Sequence, residues 1–177
     1  MFHALGWVTL SYSAAILAPL TLFLFLALWV RAGRGQEEVL VNRLLGGVIA
    51  GAVGLLGYDL VRLVILLAGV PFNPFRPIEV FGLLILDVYE DTLLTKTVGW
   101  AFHVWNGLAF ATMYTLALGK GRVLWAVGWG MLLEIAMVST YPSIFGLMLD
   151  WPFLAVSVTG HVAYGLGIGF TAKRVVR

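Results

Sequence analysis

Residues 44–70 read LLGGVIAGAVGLLGYDLVRLVILLAGV, an apolar run whose only charged residues are Asp59 and Arg62. A helix rises about 1.5 Å per residue, so this run is long enough to cross a hydrocarbon core of about 30 Å. Similar runs, punctuated by small and aromatic residues, lie at about 6–30, 98–118, 122–141 and 152–172. Together they predict an all-α integral membrane bundle of five transmembrane helices, with residues 1–177 forming a single transmembrane domain.

Composition points the same way. Of the 177 residues, 61% are hydrophobic and only 11% are charged, and the mean hydropathy is +0.98, whereas a soluble domain is about a quarter charged. A water-soluble fold is excluded, and five spans leave little chain for a separate soluble domain. The absence of cysteine removes disulfides, thiolate metal sites, iron–sulfur clusters and cysteine nucleophiles. The net charge of +2 arises from basic residues at helix ends rather than from a patch, so the expected partners are membrane lipids and not nucleic acid. The opening residues, MFHALGW, lack a basic n-region, and the first run is too long for a signal peptide, which makes it a retained span.

The loops set an expected orientation. Arg31, Arg34 and Arg43 flank the first connection, Lys120 and Arg122 the third, and Lys173, Arg174 and Arg177 the C-terminus. The other connections carry Arg76 and Lys96 among Glu79, Asp87, Glu90, Asp91 and Asp150. The positive-inside rule then places the N-terminus outside and the C-terminus in the cytoplasm of an inner (plasma) membrane. The longest connection, about 71–97, opens with PFNPFRP, whose prolines argue against a regular helix before about Ile78. The segment 78–92 that follows is apolar but short and ends in acids, which suits an interfacial or re-entrant segment or a lid over a buried site. Pro19 predicts a kink in the first span. Trp7, Trp100 and Trp151 near span ends read as interface anchors, and His3 lies outside the membrane.

Small residues predict close packing. Gly47 and Gly51 are four apart, and Ala50 and Gly54 form a second pair on the next stripe, a spacing that serves either a compact bundle or a homo-oligomer. The third and fifth runs share a motif: AFHVWNGLAF at 101–110 and TGHVAYGLGI at 159–168 both contain His-Val-x-x-Gly-Leu. This predicts equivalent placement of His103 and His161, with Gly107 and Gly165 one turn away to admit a backbone or a ligand.

Ionisable residues inside spans are costly, so each is expected to be paired or functional. Asp59, Arg62, His103, Glu134 and His161 are such residues, accompanied by Asn106 and Tyr164. Counted from the outer end of its predicted span, each of the acids and histidines lies roughly 9–17 Å deep by helical rise. That shared depth predicts convergence on one site in the outer half of the membrane. Asp59, His103, Glu134 and His161 are candidate ligands for a divalent metal such as zinc, iron or manganese, with Asn106 or Tyr164 orienting an imidazole and Arg62 a carboxylate or substrate anion. The same residues suit a structural ion network or a proton or ion pathway. Haem b held by His103 and His161 is a further reading, with the glycines making room for the porphyrin. No HExxH, phosphate-binding GxxxxGK or GxSxG motif occurs.

The stretches GGVIAGAVGLLGYDLVRL (46–63), GWAFHVWNG (99–107) and GHVAYGLG (160–167) resemble small polytopic inner-membrane proteins of bacteria, a family of unknown function marked by GW-x-x-H-x-x-x-G and H-x-x-x-G-x-G helices. The resemblance covers the second, third and fifth runs. It implies that Asp59, His103 and His161 are family features and does not extend to Glu134. The reading on which these expectations meet is a membrane protein with a polar intramembrane site that binds a metal or cofactor and acts on or transports a small or lipid-soluble substrate. The alternative is a non-catalytic subunit of a larger membrane complex.

Overall fold

The structure is a computed structural model that describes residues 34–145 and 149–177. The expected first span at 6–30 and the kink at Pro19 lie outside the described residues. Among these there are five α-helices and no strand: α1 (Arg34–Leu67), α2 (Arg76–Leu86), α3 (Leu93–Leu118), α4 (Val123–Phe145) and α5 (Trp151–Val175). Three segments are long and apolar enough to cross a membrane: Gln36–Leu67, Val123–Thr140 and Trp151–Val175. With 26 residues, α3 has the length, but Lys96, His103, Asn106 and its threonines dilute its apolar character.

Local chemistry fixes the ends. Gly69, at φ +90, ends α1 in a conformation that favours glycine, and Pro71 follows. Thr92 and Thr95 form a reciprocal capping box at the start of α3. The Asp150 side chain accepts from the Phe153 N–H at 2.9 Å and caps α5, with Pro152 in the first turn. The segment 71–97 corrects the expectation drawn from its prolines. Helix α2 begins at Arg76 with Pro77 already inside its first turn, where the missing N–H has no helical partner to lose. It stops at Leu86, because Asp87 is left-handed at φ 54 and its N–H bonds the Leu83 carbonyl, so the expected acidic end of the segment is loop rather than helix.

The main helix contacts run in the order α2–α3–α1–α5–α4, an arc whose two ends, α2 and α4, face each other across a cavity. Small residues allow the contacts. A Cβ added at Gly47 would sit 2.6 Å from Thr112 Cα, and one at Gly51 would sit 2.9 Å from Leu108 Cα. These glycines press α1 backbone on α3 backbone. On the neighbouring stripe, Ala50 is fully buried, and a Cβ at Gly54 would meet the Tyr164 ring at 2.9 Å. The two small-residue stripes of α1 thus serve two neighbours within one chain. At the α2–α3 crossing, a Cβ on Gly82 would overlap the Thr95 carbonyl, 2.7 Å from its carbon, and one on Gly99 would overlap the Ile78 carbonyl, 3.1 Å from its carbon. Helix α2 is therefore locked backbone to backbone on α3, a fixed wall rather than a hinged lid.

One end of the bundle gathers the basic residues. Asn42 Nδ2 donates to the Val175 carbonyl at 3.4 Å, and the Arg177 N–H donates to Asn42 Oδ1 at 2.7 Å. Arg43 Nη1 donates to the Leu116 carbonyl at 3.0 Å, and Thr115 Oγ1 donates to the Arg43 carbonyl at 2.8 Å. The Arg43 guanidinium thereby covers the C-terminus of α3, where a cation suits the helix dipole. These bonds pin α1, α3 and α5 together at the end that also carries Lys120, Arg122 and Lys173.

Candidate functional site

A cavity of about 430 Å³ lies toward the opposite end. Leu55, Tyr58 and Arg62 of α1, Pro77, Ile78 and Phe81 of α2, Phe102, His103, Asn106 and Phe110 of α3, Leu133, Ala136 and Met137 of α4, and Phe153, Val156, Ser157, His161 and Tyr164 of α5 line it. Its size falls in the range of small-molecule sites, and the mix of apolar walls with a few converging polar groups is typical of them.

The polar groups form two clusters. In the first, His103 Nε2 lies 3.1 Å from each oxygen of Asp59, and Arg62 Nη1 approaches Asp59 Oδ1 at 3.6 Å. Arg62 is 6% exposed and its guanidinium packs on the rings of Tyr58 at 5.0 Å and Phe75 at 4.8 Å, contacts favourable to a desolvated cation. Trp100 stacks on Phe75 and sets its edge against His103 at 5.7 Å, so this expected interface anchor also supports the site. In the second cluster, His161 Nδ1 lies 2.7 Å from Glu134 Oε2 and 3.0 Å from the Ser157 carbonyl. Ser157 Oγ donates to Glu134 Oε2 at 2.7 Å. Glu134 is 2% exposed, and its Oε1 has no hydrogen-bond partner among the described residues. The Tyr58 ring joins the clusters, with centroids 6.0 Å from His103 and 5.0 Å from His161.

The residues singled out from sequence thus surround one cavity, in roles that differ from the expected ones. His103 and His161 line it, while Asp59 and Glu134 stand behind them, each on a neighbouring helix. No group of three or more metal-ligating side chains occurs among the described residues, and the four expected ligands divide into two carboxylate–imidazole pairs. Tyr164 does not orient an imidazole, because its hydroxyl donates to the Gly107 carbonyl on α3. Asn106 lines the cavity. The residues do not fit haem b. The notch at Gly107 is filled by Leu55, with Cδ1 2.7 Å from an added Cβ, and that at Gly165 by the α4 backbone at Val127 Cα, 2.6 Å away.

Sequence reasoning did not single out Ser157 or Tyr58. A serine four residues before His161 is one helical turn away, a spacing that could have marked it. For 78–92 sequence reasoning offered an interfacial or re-entrant segment or a lid over a buried site, but not a wall locked on α3. Compared with known protein families, curated proteins and solved structures, the chain has no match.

Proposed function

We propose that this protein is a multi-pass inner-membrane protein that receives a small lipid-soluble molecule in the chamber between α1, α2, α3, α4 and α5, for transport or chemical change. Helices α1, α3, α4 and α5 are four of the five spans of this reading, the run at 6–30 being the fifth, and α2 lies as an interfacial wall of the chamber. The basic end faces the cytoplasm, so the chamber is in the outer half of the bilayer. The carrying observation is the 430 Å³ cavity whose aromatic and aliphatic walls meet Arg62 and two carboxylate-backed imidazoles, a combination that a purely structural network does not require. Native mass spectrometry of protein released from detergent tests this. A small-molecule adduct lost in Ala136→Trp, which fills the cavity from α4, supports the chamber. A chain with no adduct from its native membrane and none after exposure to lipophilic probes overturns it and leaves a subunit with a paired polar network.

A second reading, in which His103 and His161 hold a zinc, iron or manganese ion, is favoured by the carboxylate behind each ring, an arrangement that orients metal-binding histidines. Elemental analysis tests it: stoichiometric metal that disappears in both His103→Ala and His161→Ala supports it, and metal that survives either change refutes it.

A further inference from the structure

Resting on the chamber reading, we infer that the molecule the chamber takes is a lipophilic amine, bound as its ammonium between the two imidazoles and the aromatic walls. The tautomers supply the first reason. A carboxylate only accepts hydrogen bonds, so the nitrogen each imidazole turns to its carboxylate carries the proton: Nε2 of His103 toward Asp59 and Nδ1 of His161 toward Glu134. The Ser157 carbonyl, also an acceptor, lies 3.0 Å from that same Nδ1 and fixes the assignment for His161. In the neutral form that the inference takes for each ring, the remaining nitrogen, Nδ1 of His103 and Nε2 of His161, is an acceptor. Both rings line the chamber, which therefore asks for hydrogen-bond donors.

Charge supplies the second reason. Among the described residues, Arg62 pairs with Asp59 and not with Glu134. Arg62 lies beside Asp59 at 3.6 Å and is sandwiched by Tyr58 and Phe75, so its charge is matched on the α1 side. Glu134 is 2% exposed, and among the described residues one of its oxygens lacks a partner while the other meets the Ser157 hydroxyl and the His161 imidazole. A carboxylate in so apolar a setting is costly until a cation approaches. An ammonium meets both demands, since it donates only and is positive. Phe81, Phe102, Phe110 and Phe153 in the walls offer aromatic surface to the apolar part of the molecule. A carboxylate ligand drawn to Arg62 would instead face two lone pairs and the unmatched charge of Glu134.

Three congeners with one aromatic body test the inference: 2-(1-naphthyl)ethylamine, 2-(1-naphthyl)ethanol and 1-naphthylacetate, titrated into the full chain in nanodiscs, with binding to empty nanodiscs subtracted. The amine is expected to bind about tenfold more tightly than the alcohol, and the carboxylate more weakly than either. In Glu134→Gln the preference for amine over alcohol is expected to fall to about threefold or less, while the alcohol is held as before. Equal binding of amine and alcohol, or tightest binding of the carboxylate, overturns the ammonium assignment and leaves the chamber standing. Failure of all three to bind the native protein overturns both readings. The comparison in the native chain decides the matter even where Glu134→Gln does not fold.

Discussion

Gly82→Ala tests the crossing that turns α2 into a wall of the chamber. The added methyl carbon would overlap the Thr95 carbonyl oxygen, lie 2.7 Å from its carbon and sit 3.0 Å from the Gly99 nitrogen. All three atoms are backbone, so no rotamer change relieves the clash. Carbon atoms in good contact are about 3.5–4.0 Å apart, so the helices must separate by about 1 Å, which forfeits a quarter to a half of the dispersion energy along the seam. Overpacking of this kind costs about 1–3 kcal/mol. Gly128→Ala is the internal reference, because an added Cβ there meets nothing within 4 Å among the described residues, and alanine in a helix interior is favoured over glycine by about 1 kcal/mol. The assay is thermal unfolding in detergent followed by circular dichroism, with ligand binding measured in parallel. Gly82→Ala is expected to unfold at lower temperature than the native chain and to weaken binding, because Pro77, Ile78 and Phe81 shift with α2. Gly128→Ala is expected to match or exceed the native chain. If the two variants unfold together, the crossing is not tight and the argument for a fixed wall fails.

Replacing Arg62 with alanine should lower stability by about 3 kcal/mol, because it strands Asp59 beside one imidazole; Arg62→Lys should restore little, since an ammonium cannot stack flat on Tyr58 and Phe75, and full rescue by lysine in chemical denaturation would contradict this. Ser157→Ala should cost about 1 kcal/mol through the lost bond to Glu134, and a larger effect on ligand binding than on unfolding would show that the hydroxyl also sets the His161 geometry. At the α2–α3 junction, Arg76 bonds Glu79 at 2.7 Å and Asp91 at 2.9 Å on an exposed surface, so Arg76→Ala should change stability by less than about 1 kcal/mol and by less still in high salt. Glu79, then Asp91, raises the Arg76 guanidinium above its ordinary range; a raised pKa in a base means stability present below the unfolded value and lost only above it. Unfolding between pH 7 and 10 should therefore show no loss that Arg76→Ala removes.

Hydropathy made the long helices legible, because a span must satisfy its own backbone in lipid and so announces itself as an apolar run. The described residues contain helices over four of the five expected runs, with α1 beginning ten residues earlier, at Arg34. The small-residue stripes of α1 were equally readable as contact surfaces, though not which helix each would meet. Spacing along single helices brought out Asp59, His103, Glu134 and His161 as a group, but depth says nothing about rotation about the helix axis. It could not tell a ligand from the group behind it, and both carboxylates stand behind imidazoles. Segment 71–97 was hardest to read, since Pro77 carries opposite meanings inside a helix and at its first turn.

The bonds from Asn42 and Arg43 to α3 and α5 tie the helices at the basic end, and Tyr58 and Asp59 lie about 24 Å from that joint by helical rise. Over that lever arm, a splay of about 2° would move α1 by about 0.8 Å, enough to stretch the 3.1 Å contact of His103 with Asp59 beyond hydrogen-bond length. The Tyr164 hydroxyl on the Gly107 carbonyl ties α5 to α3 in the same way. The three helices are thus clasped at both ends like the staves of a cask, and the space they enclose keeps its shape whether filled or empty.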